Sequence, residues 1–130
     1  MKDNLALVEA VKADQCSPVY IFDDTATRPA GQASHVWLHH ALHSLAKDLN
    51  GNLSFFKGST TDILTELIDR FAINEIHVDH TFDPNLDELD QVCLDIASSK
   101  NCKFVKQSQH TLWNLSRILK MGGDPYKVFT

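Results

Sequence analysis

The sequence predicts an α/β protein whose parallel sheet carries helices on both faces, and three observations support this. Four short apolar runs, rich in β-branched and aromatic residues, alternate along the chain with helical patterns. The run Val19–Phe22 is apolar at every position, which is typical of a strand buried on both faces. Farther on, the strand around Ile76 and Val78 leads to Asp83 and Pro84, a helix cap followed by proline at the first helical position. We therefore expect right-handed βαβ units in a doubly wound, Rossmann-like sheet.

Local signals place each element in the order α-β-α-β-α-β-α-β. Residues that favour caps stand at Asp3-Asn4, Ser34 and Asp83, the third helix starts at Thr60 or Thr61, and Asn50-Gly51 ends the second helix. The predicted helices cover residues 3–14, 34–49, 60–71 and 84–99, with a short one at 116–120. The predicted strands cover residues 17–24, 52–58, 76–80 and 102–108, and a turn is expected at 122–125.

Composition limits the function classes. A chain of 130 residues with 43% hydrophobic residues is long enough for one domain with a core. The net charge of −5 and the absence of a basic stripe argue against this chain binding nucleic acid by itself. No apolar run approaches the roughly 18 residues of a membrane span, and the N-terminus does not resemble a signal peptide. Three cysteines without CxxC spacing predict a cytoplasmic protein in which Cys16, Cys93 and Cys102 are buried apolar residues.

Four segments, in the same order and spacing, resemble motifs of one known family. Ser34–Leu42 is similar to a Ser-Arg-x-Trp-Leu-x-x-Ser-Leu helix, and Pro125–Thr130 to a Pro-Tyr-x-Val-Phe-Thr segment. Asp3–Leu7 resembles the end of the family's opening motif, and Pro18–Asp23 its second strand. Together they resemble the N-terminal, antenna-binding α/β domain of the DNA photolyase/cryptochrome family.

The resemblance implies a domain over residues 1–121 and the start of an interdomain linker over residues 122–130. The full-length parent would be a deoxyribodipyrimidine photolyase, a lyase that repairs pyrimidine dimers in DNA with blue light and reduced FAD. This domain would hold a light-harvesting antenna chromophore of the folate or the flavin/deazaflavin type. The family's flavin-binding and DNA-binding residues lie beyond Thr130, so we expect no catalytic residues in this chain and contact with DNA only through the parent.

Two turns at the carboxyl edge of the sheet are the candidate chromophore site, since ligands of doubly wound sheets bind there. The resemblance places Asp23, Asp24 and Arg28 in the first turn. It places Phe82, Asp83 and Asn85 in the second, where a helix N-terminus and an amide can meet a pterin or flavin edge. The alternative for the second turn is that its residues only start a helix.

The chain departs from the family pattern in two places. The family's first strand, which is central in the sheet, is missing, because Met1 and Lys2 stand where it should end. The strands at 18–23 and 76–80 are then expected either to close up or to be bridged by another chain, as in a homodimer. In addition, Val78-Asp79-His80 replaces a frequent Trp-Asn-Arg, which removes an arginine.

Other interpretations stay open at this point. A cryptochrome-type photoreceptor domain would share this fold, and a universal-stress-like nucleotide-binding module or a nonfunctional remnant are further alternatives. His35, His39 and His43 share a helix face that could hold zinc, but a solvated flank is the simpler interpretation, and no metal site is assigned. Trp37 and Trp113 are expected to pack in the domain.

Overall fold

The computed structural model describes residues 4–25, 31–81, 83–107 and 118–124, and at Asn85 only the backbone. Its elements follow the predicted order. The helices are α1 (Leu5–Ala10), α2 (Gln32–Asp48), α3 (Thr60–Phe71) and α4 (Pro84–Ser99). The strands are β1 (Val19–Phe22), β2 (Ser54–Lys57), β3 (Glu75–Asp79) and β4 (Lys103–Gln107).

The strands form two separate parallel pairs. β1 pairs with β2, with Val19 opposite Ser54, and β3 pairs with β4, with Glu75 opposite Lys103. Among the described residues β1 and β3 each pair with one strand only, and they do not pair with each other. The parallel direction of both pairs is as predicted. β1 and β3 have not moved together to pair, which was one of the two expected arrangements.

Side-chain caps explain two of the helix starts. The Asn4 Oδ1 accepts a hydrogen bond from the Leu7 N–H at 2.7 Å, and the Ser59 Oγ accepts one from the Asp62 N–H at 3.4 Å. α4 begins at Pro84 as predicted. The prediction that Ser34 caps α2 was wrong, because α2 begins two residues before it, at Gln32, after Gly31 and without a side-chain cap.

The ends of several elements differ from the prediction. α1 ends at Ala10 rather than at residue 14. Residues 118–120 are not helical, which contradicts that part of the short helix predicted at 116–120. The turn that follows is present, since the Gly123 N–H donates to the Lys120 carbonyl at 2.9 Å. Local propensity predicts the type of an element better than it predicts the element's length, because tertiary packing decides where a helix ends.

The main core lies between the β3–β4 pair and the helices α3 and α4. Its buried members are Leu64, Ile68, Cys93, Ala97 and Cys102. Partly buried side chains pack around them, namely Ile73, Ile76, Leu89, Ile96 and Phe104. α1 contacts the same two strands, and its Ala6 N–H donates to Asp79, whose side chain points to the sheet face opposite to that of Ile76. Helices therefore cover both faces of this pair, as predicted.

The half of the molecule that contains β1, β2 and α2 is packed less tightly. Val19 is 41% exposed, and α2 has no buried residue. The expectation that β1 is buried on both faces was therefore wrong, as was the expectation that Trp37 packs, since it is 73% exposed. Both follow from one cause: in the part of the chain that the structure describes, no strand pairs with the edge of β1 that faces away from β2. α3 contacts both β1 and α4, so one helical layer is shared by the two pairs.

The cysteines divide into two groups. Cys93 and Cys102 are buried as predicted, and burial raises the pKa of each thiol. Cys16 is exposed, contrary to the prediction, because it lies in the irregular segment between α1 and β1. Within the part of the chain that the structure describes, no helix is both long and apolar enough to cross a membrane.

Candidate functional site

A groove with a volume of about 590 Å³ runs along β1. β1 forms one wall, the first half of α2 another, and the start of α4 a third. The lining residues are Val19, Tyr20, Ile21, Phe22, Asp23, Ser34, His35, Trp37, Leu38, Thr60, Leu86 and Leu89. Most of these side chains are apolar, and the polar ones collect near Asp23 and Thr60, at the carboxyl end of β1. The groove therefore reaches the sheet edge where ligands of such folds bind.

Asp23 is a predicted site residue, and the structure places it at the end of this groove. Its Oδ1 accepts hydrogen bonds from the Thr25 N–H at 2.9 Å and the Thr25 hydroxyl at 2.6 Å. Its Oδ2 accepts one from the Thr60 N–H at 2.7 Å, in the first turn of α3. These bonds, those from Thr25 first, hold the pKa of Asp23 far below its usual range. Oδ2 thus joins the end of β1 to α3, while Oδ1 holds the turn at Thr25.

Of the other two residues predicted for the first turn, Asp24 and Arg28, the structure describes only Asp24, and it does not line the groove. Asp24 is exposed, does not line the groove, and lies 3.5 Å from the Lys57 ammonium. Lys57 also stands 5.9 Å from the centroid of the Phe22 ring. Arg28 lies outside the described residues.

The second predicted turn contributes its helix rather than its polar side chains. Leu86 and Leu89, both in the first half of α4, line the groove opposite β1. Asp83 is exposed, and its carbonyl accepts the Asp87 N–H at 2.9 Å as α4 begins. Phe82 and the Asn85 side chain lie outside what the structure describes. The structure therefore brings Asp23 and the start of α4 to one groove.

A charged cluster beside the start of α4 was not predicted. The Lys106 ammonium donates to the Asp87 Oδ1 at 2.5 Å and pairs with the Asp90 Oδ2 at 2.8 Å. The His80 Nε2 lies 3.5 Å from the same Asp87 oxygen. Desolvation acts to lower the pKa of Lys106, but the bonds to Asp87 and Asp90 outweigh it and raise that pKa. The sequence could have indicated this cluster by position, because Lys106 and His80 both stand at the carboxyl ends of strands.

The altered tip of β3 has a structural role. The Asp79 Oδ1 accepts the Ala6 N–H at 3.3 Å, which ties β3 to the first turn of α1. This contact joins residues that are 73 positions apart in the sequence. Nothing in the local sequence indicates such a partner.

Residues 1–130, the whole sequence, match a sequence profile described as DNA photolyase. The chain belongs to the DNA photolyase family. The deoxyribodipyrimidine photo-lyase of Agrobacterium fabrum is 31% identical over 134 residues, covering 100% of this chain and 28% of that protein. Cryptochrome-1 of Anopheles gambiae is 27% identical over 138 residues, covering 95% of this chain and 25% of that protein.

A photolyase also shares the fold. The crystal structure of a bacterial class III photolyase from Agrobacterium tumefaciens superposes with a TM-score of 0.86 at 30% sequence identity. The match covers 98% of this chain and 27% of that one. The predicted family and the Rossmann-like α/β class are confirmed. The chain spans about a quarter of the length of these photolyase-family relatives.

The histidines of α2 occupy separate positions within this photolyase-type domain. The His35 ring packs against the Phe22 ring with centroids 5.7 Å apart and borders the groove. The His39 ring instead contacts the neighbouring His40 ring, with centroids 5.5 Å apart. In the described ranges, no three His, Cys, Asp or Glu side chains are grouped closely enough to hold a metal ion.

Proposed function

We propose that this domain holds a light-harvesting chromophore at the carboxyl edge of its strands, in the groove between β1 and α4. The chromophore is a folate or a molecule of the flavin/deazaflavin type. In the full-length parent it passes excitation energy to FAD, which uses blue light to repair pyrimidine dimers in DNA. The observation that carries the proposal is the groove itself, which joins Asp23 to the first half of α4.

The dimensions and lining of the groove suit a planar heterocycle. Small-molecule sites typically have volumes of roughly 300–1,000 Å³ and mostly apolar walls with a few polar groups. The groove has about 590 Å³, with Trp37, Leu86 and Leu89 among its walls. An exposed indole such as that of Trp37 can stack on a conjugated ring. The polar groups near Asp23 and Thr60 would orient the ring edge.

Asp23 serves this site by positioning its neighbours. Its carboxylate accepts three hydrogen bonds, two at Oδ1 and one at Oδ2, and a ligand donor could add only at Oδ2. It fixes Thr25 and Thr60, and Thr60 lines the groove. In this proposal Arg28, Phe82 and Asn85 remain candidate contacts from the two flanking turns, as do the exposed residues Asp24 and Asp83.

The alternative is that the parent is a blue-light receptor. Relatives of both kinds match the chain, with photolyase and cryptochrome names at similar identity. Both alternatives assign the same chromophore role to this domain, and the flavin domain of the parent would separate them. The cytoplasmic location predicted for the chain belongs to the same proposal.

The test is a titration of the purified chain with three chromophores: 5,10-methenyltetrahydrofolate, FMN and an 8-hydroxy-5-deazaflavin. We expect one of them to bind, with quenching of its fluorescence. Leu86→Arg places a long charged side chain in the groove, and we expect it to weaken binding at least about tenfold, or roughly 1.4 kcal/mol. Leu94→Arg is the matched control, because Leu94 lies on the same helix, is 37% exposed and does not line the groove.

Two results would contradict the proposal. In the first, none of the three chromophores binds at millimolar concentration; in the second, Leu86→Arg and Leu94→Arg weaken binding equally. Circular dichroism of both variants checks that the fold is retained.

A further inference from the structure

The first half of α4 has few apolar contacts that fix its position. In the part of the chain that the structure describes, the buried side chains of this helix are those of Cys93 and Ala97, both in its second half. Leu89 packs against the core but is only partly buried, and Leu86 is half-buried in the groove wall. Because tertiary packing supplies most of the stability of a helix in a protein, this half of α4 depends on other contacts.

Lys106 makes such a contact. Its ammonium lies 2.5 Å from the Asp87 Oδ1 and 2.8 Å from the Asp90 Oδ2, so it binds two carboxylates of the first half of α4 at once. Lys106 is two residues after Phe104 in β4, and its side chain therefore leaves the same face of the strand as that core residue. The His80 Nε2, at the end of β3, lies 3.5 Å from the same Asp87 oxygen.

The carboxylates that Lys106 binds and the leucines that line the groove form two rows on α4. Leu86 and Leu89 each stand one position before Asp87 and Asp90, and successive residues of an α-helix lie about 100° apart around its axis. A contact that fixes the carboxylate row therefore also fixes the direction of the leucine row. Without a cation between them, the two carboxylates would repel each other, since residues three apart share a helix face.

We propose that Lys106 is a positioning residue of the groove: by binding Asp87 and Asp90 together, it holds the first half of α4 where Leu86 and Leu89 form the groove wall. Lys106 does not line the groove itself. The consequence for chromophore affinity rests on the proposed function. The hold on α4 does not, because it concerns the chain without a chromophore.

The test compares three variants of the whole 130-residue chain with the parent chain. Lys106→Met keeps an unbranched apolar stem and removes the charge, whereas Lys106→Arg keeps a cation with donors for both carboxylates. Lys100→Met is the matched control. The side chains of Lys100 and Lys106 are both 27% exposed, and Lys100 binds Asp69 of α3 at 2.6 Å, just past the other end of α4. The two methionine variants change the net charge equally.

The first measurement is amide hydrogen exchange in the chain without a chromophore. We expect Lys106→Met to speed exchange at Leu89 and Asp90 by roughly tenfold, because two bonds to a charged donor are lost and this half of α4 opens locally. The amides of Cys93 and Ala97 are internal controls on the same helix and should keep their rates. Lys106→Arg should restore slow exchange, and Lys100→Met should leave Leu89 and Asp90 unchanged.

The second measurement is a titration with 5,10-methenyltetrahydrofolate, FMN and an 8-hydroxy-5-deazaflavin, at a temperature at which every variant is folded. We expect Lys106→Met to weaken binding by about threefold or more, because a wall that is not held in place must be ordered on binding. Lys106→Arg and Lys100→Met should bind as the parent chain does. A contact that served stability alone would leave the affinity of the folded chain unchanged.

The proposal is wrong if Lys106→Met leaves exchange at Leu89 and Asp90 unchanged, or if Lys100→Met or Lys106→Arg speeds it as much. It is also wrong if the parent chain binds a chromophore and Lys106→Met binds it equally well. If Lys106→Met does not fold, Asp90→Asn takes its place, since it removes one of the two ion pairs. A parent chain that binds none of the three chromophores contradicts the proposed function instead, and the exchange rates still decide whether Lys106 holds α4.

Discussion

Replacing Ile68 with alanine is expected to lower the free energy of unfolding by about 2–5 kcal/mol, the range for large-to-small changes in a core. Ile68 is 4% exposed and lies in the buried cluster between α3, α4 and the β3–β4 pair. Domains of ordinary stability unfold with only about 5–15 kcal/mol. Urea unfolding followed by circular dichroism measures the change.

The matched control is the same truncation in the other half of the molecule. Ile21 is only half-buried and lies beside the open groove, so Ile21→Ala removes less apolar surface from contact. We expect its effect to be well below that of Ile68→Ala. Equal losses for the two variants would contradict the conclusion that the tight core is confined to the β3–β4 half.

This asymmetry explains which features could be predicted from the sequence. Local signals set element order, so Asn4 and Pro84 mark helix starts as expected. Burial depends on what lies across space. The apolar run of β1 predicts a strand enclosed on both faces, and the size of Trp37 predicts a packed side chain. In the structure β1 and Trp37 line the groove, and Val19 and Trp37 are exposed.

The candidate site shows the same division. The sequence indicated both turns, since each follows a strand and precedes a helix. It could not indicate that Thr25 and Thr60 would bond to the two carboxylate oxygens of Asp23, because Asp23 and Thr60 are 37 positions apart. Lys106 was missed for a similar reason, since its partners Asp87 and Asp90 belong to a different element. Long-range polar pairs leave no periodic pattern in a sequence.

Replacing Asp23 with asparagine is the second prediction, with an expected loss of about 1–2 kcal/mol at neutral pH, as for the loss of a hydrogen bond to a charged group. Its carboxylate accepts three hydrogen bonds, two from Thr25 and one from the first turn of α3. An asparagine amide offers one acceptor oxygen, and its NH₂ group would face an N–H donor. Asp24→Asn is the control, because Asp24 is exposed and has one ion pair at 3.5 Å, which contributes little.

The pH dependence separates the charge from the shape of Asp23. Its pKa in the folded chain is depressed below the ordinary 3.8, so the folded state favours the ionised form. The stabilisation is therefore complete above the unfolded pKa and is lost as the pH falls toward the folded value. We expect the stability difference between the parent chain and Asp23→Asn to shrink as the pH falls from about 5 to about 2. A difference that stays constant over that range would show that the hydrogen bonds do not depend on the charge, and that Asp23 joins β1 to α3 by shape alone.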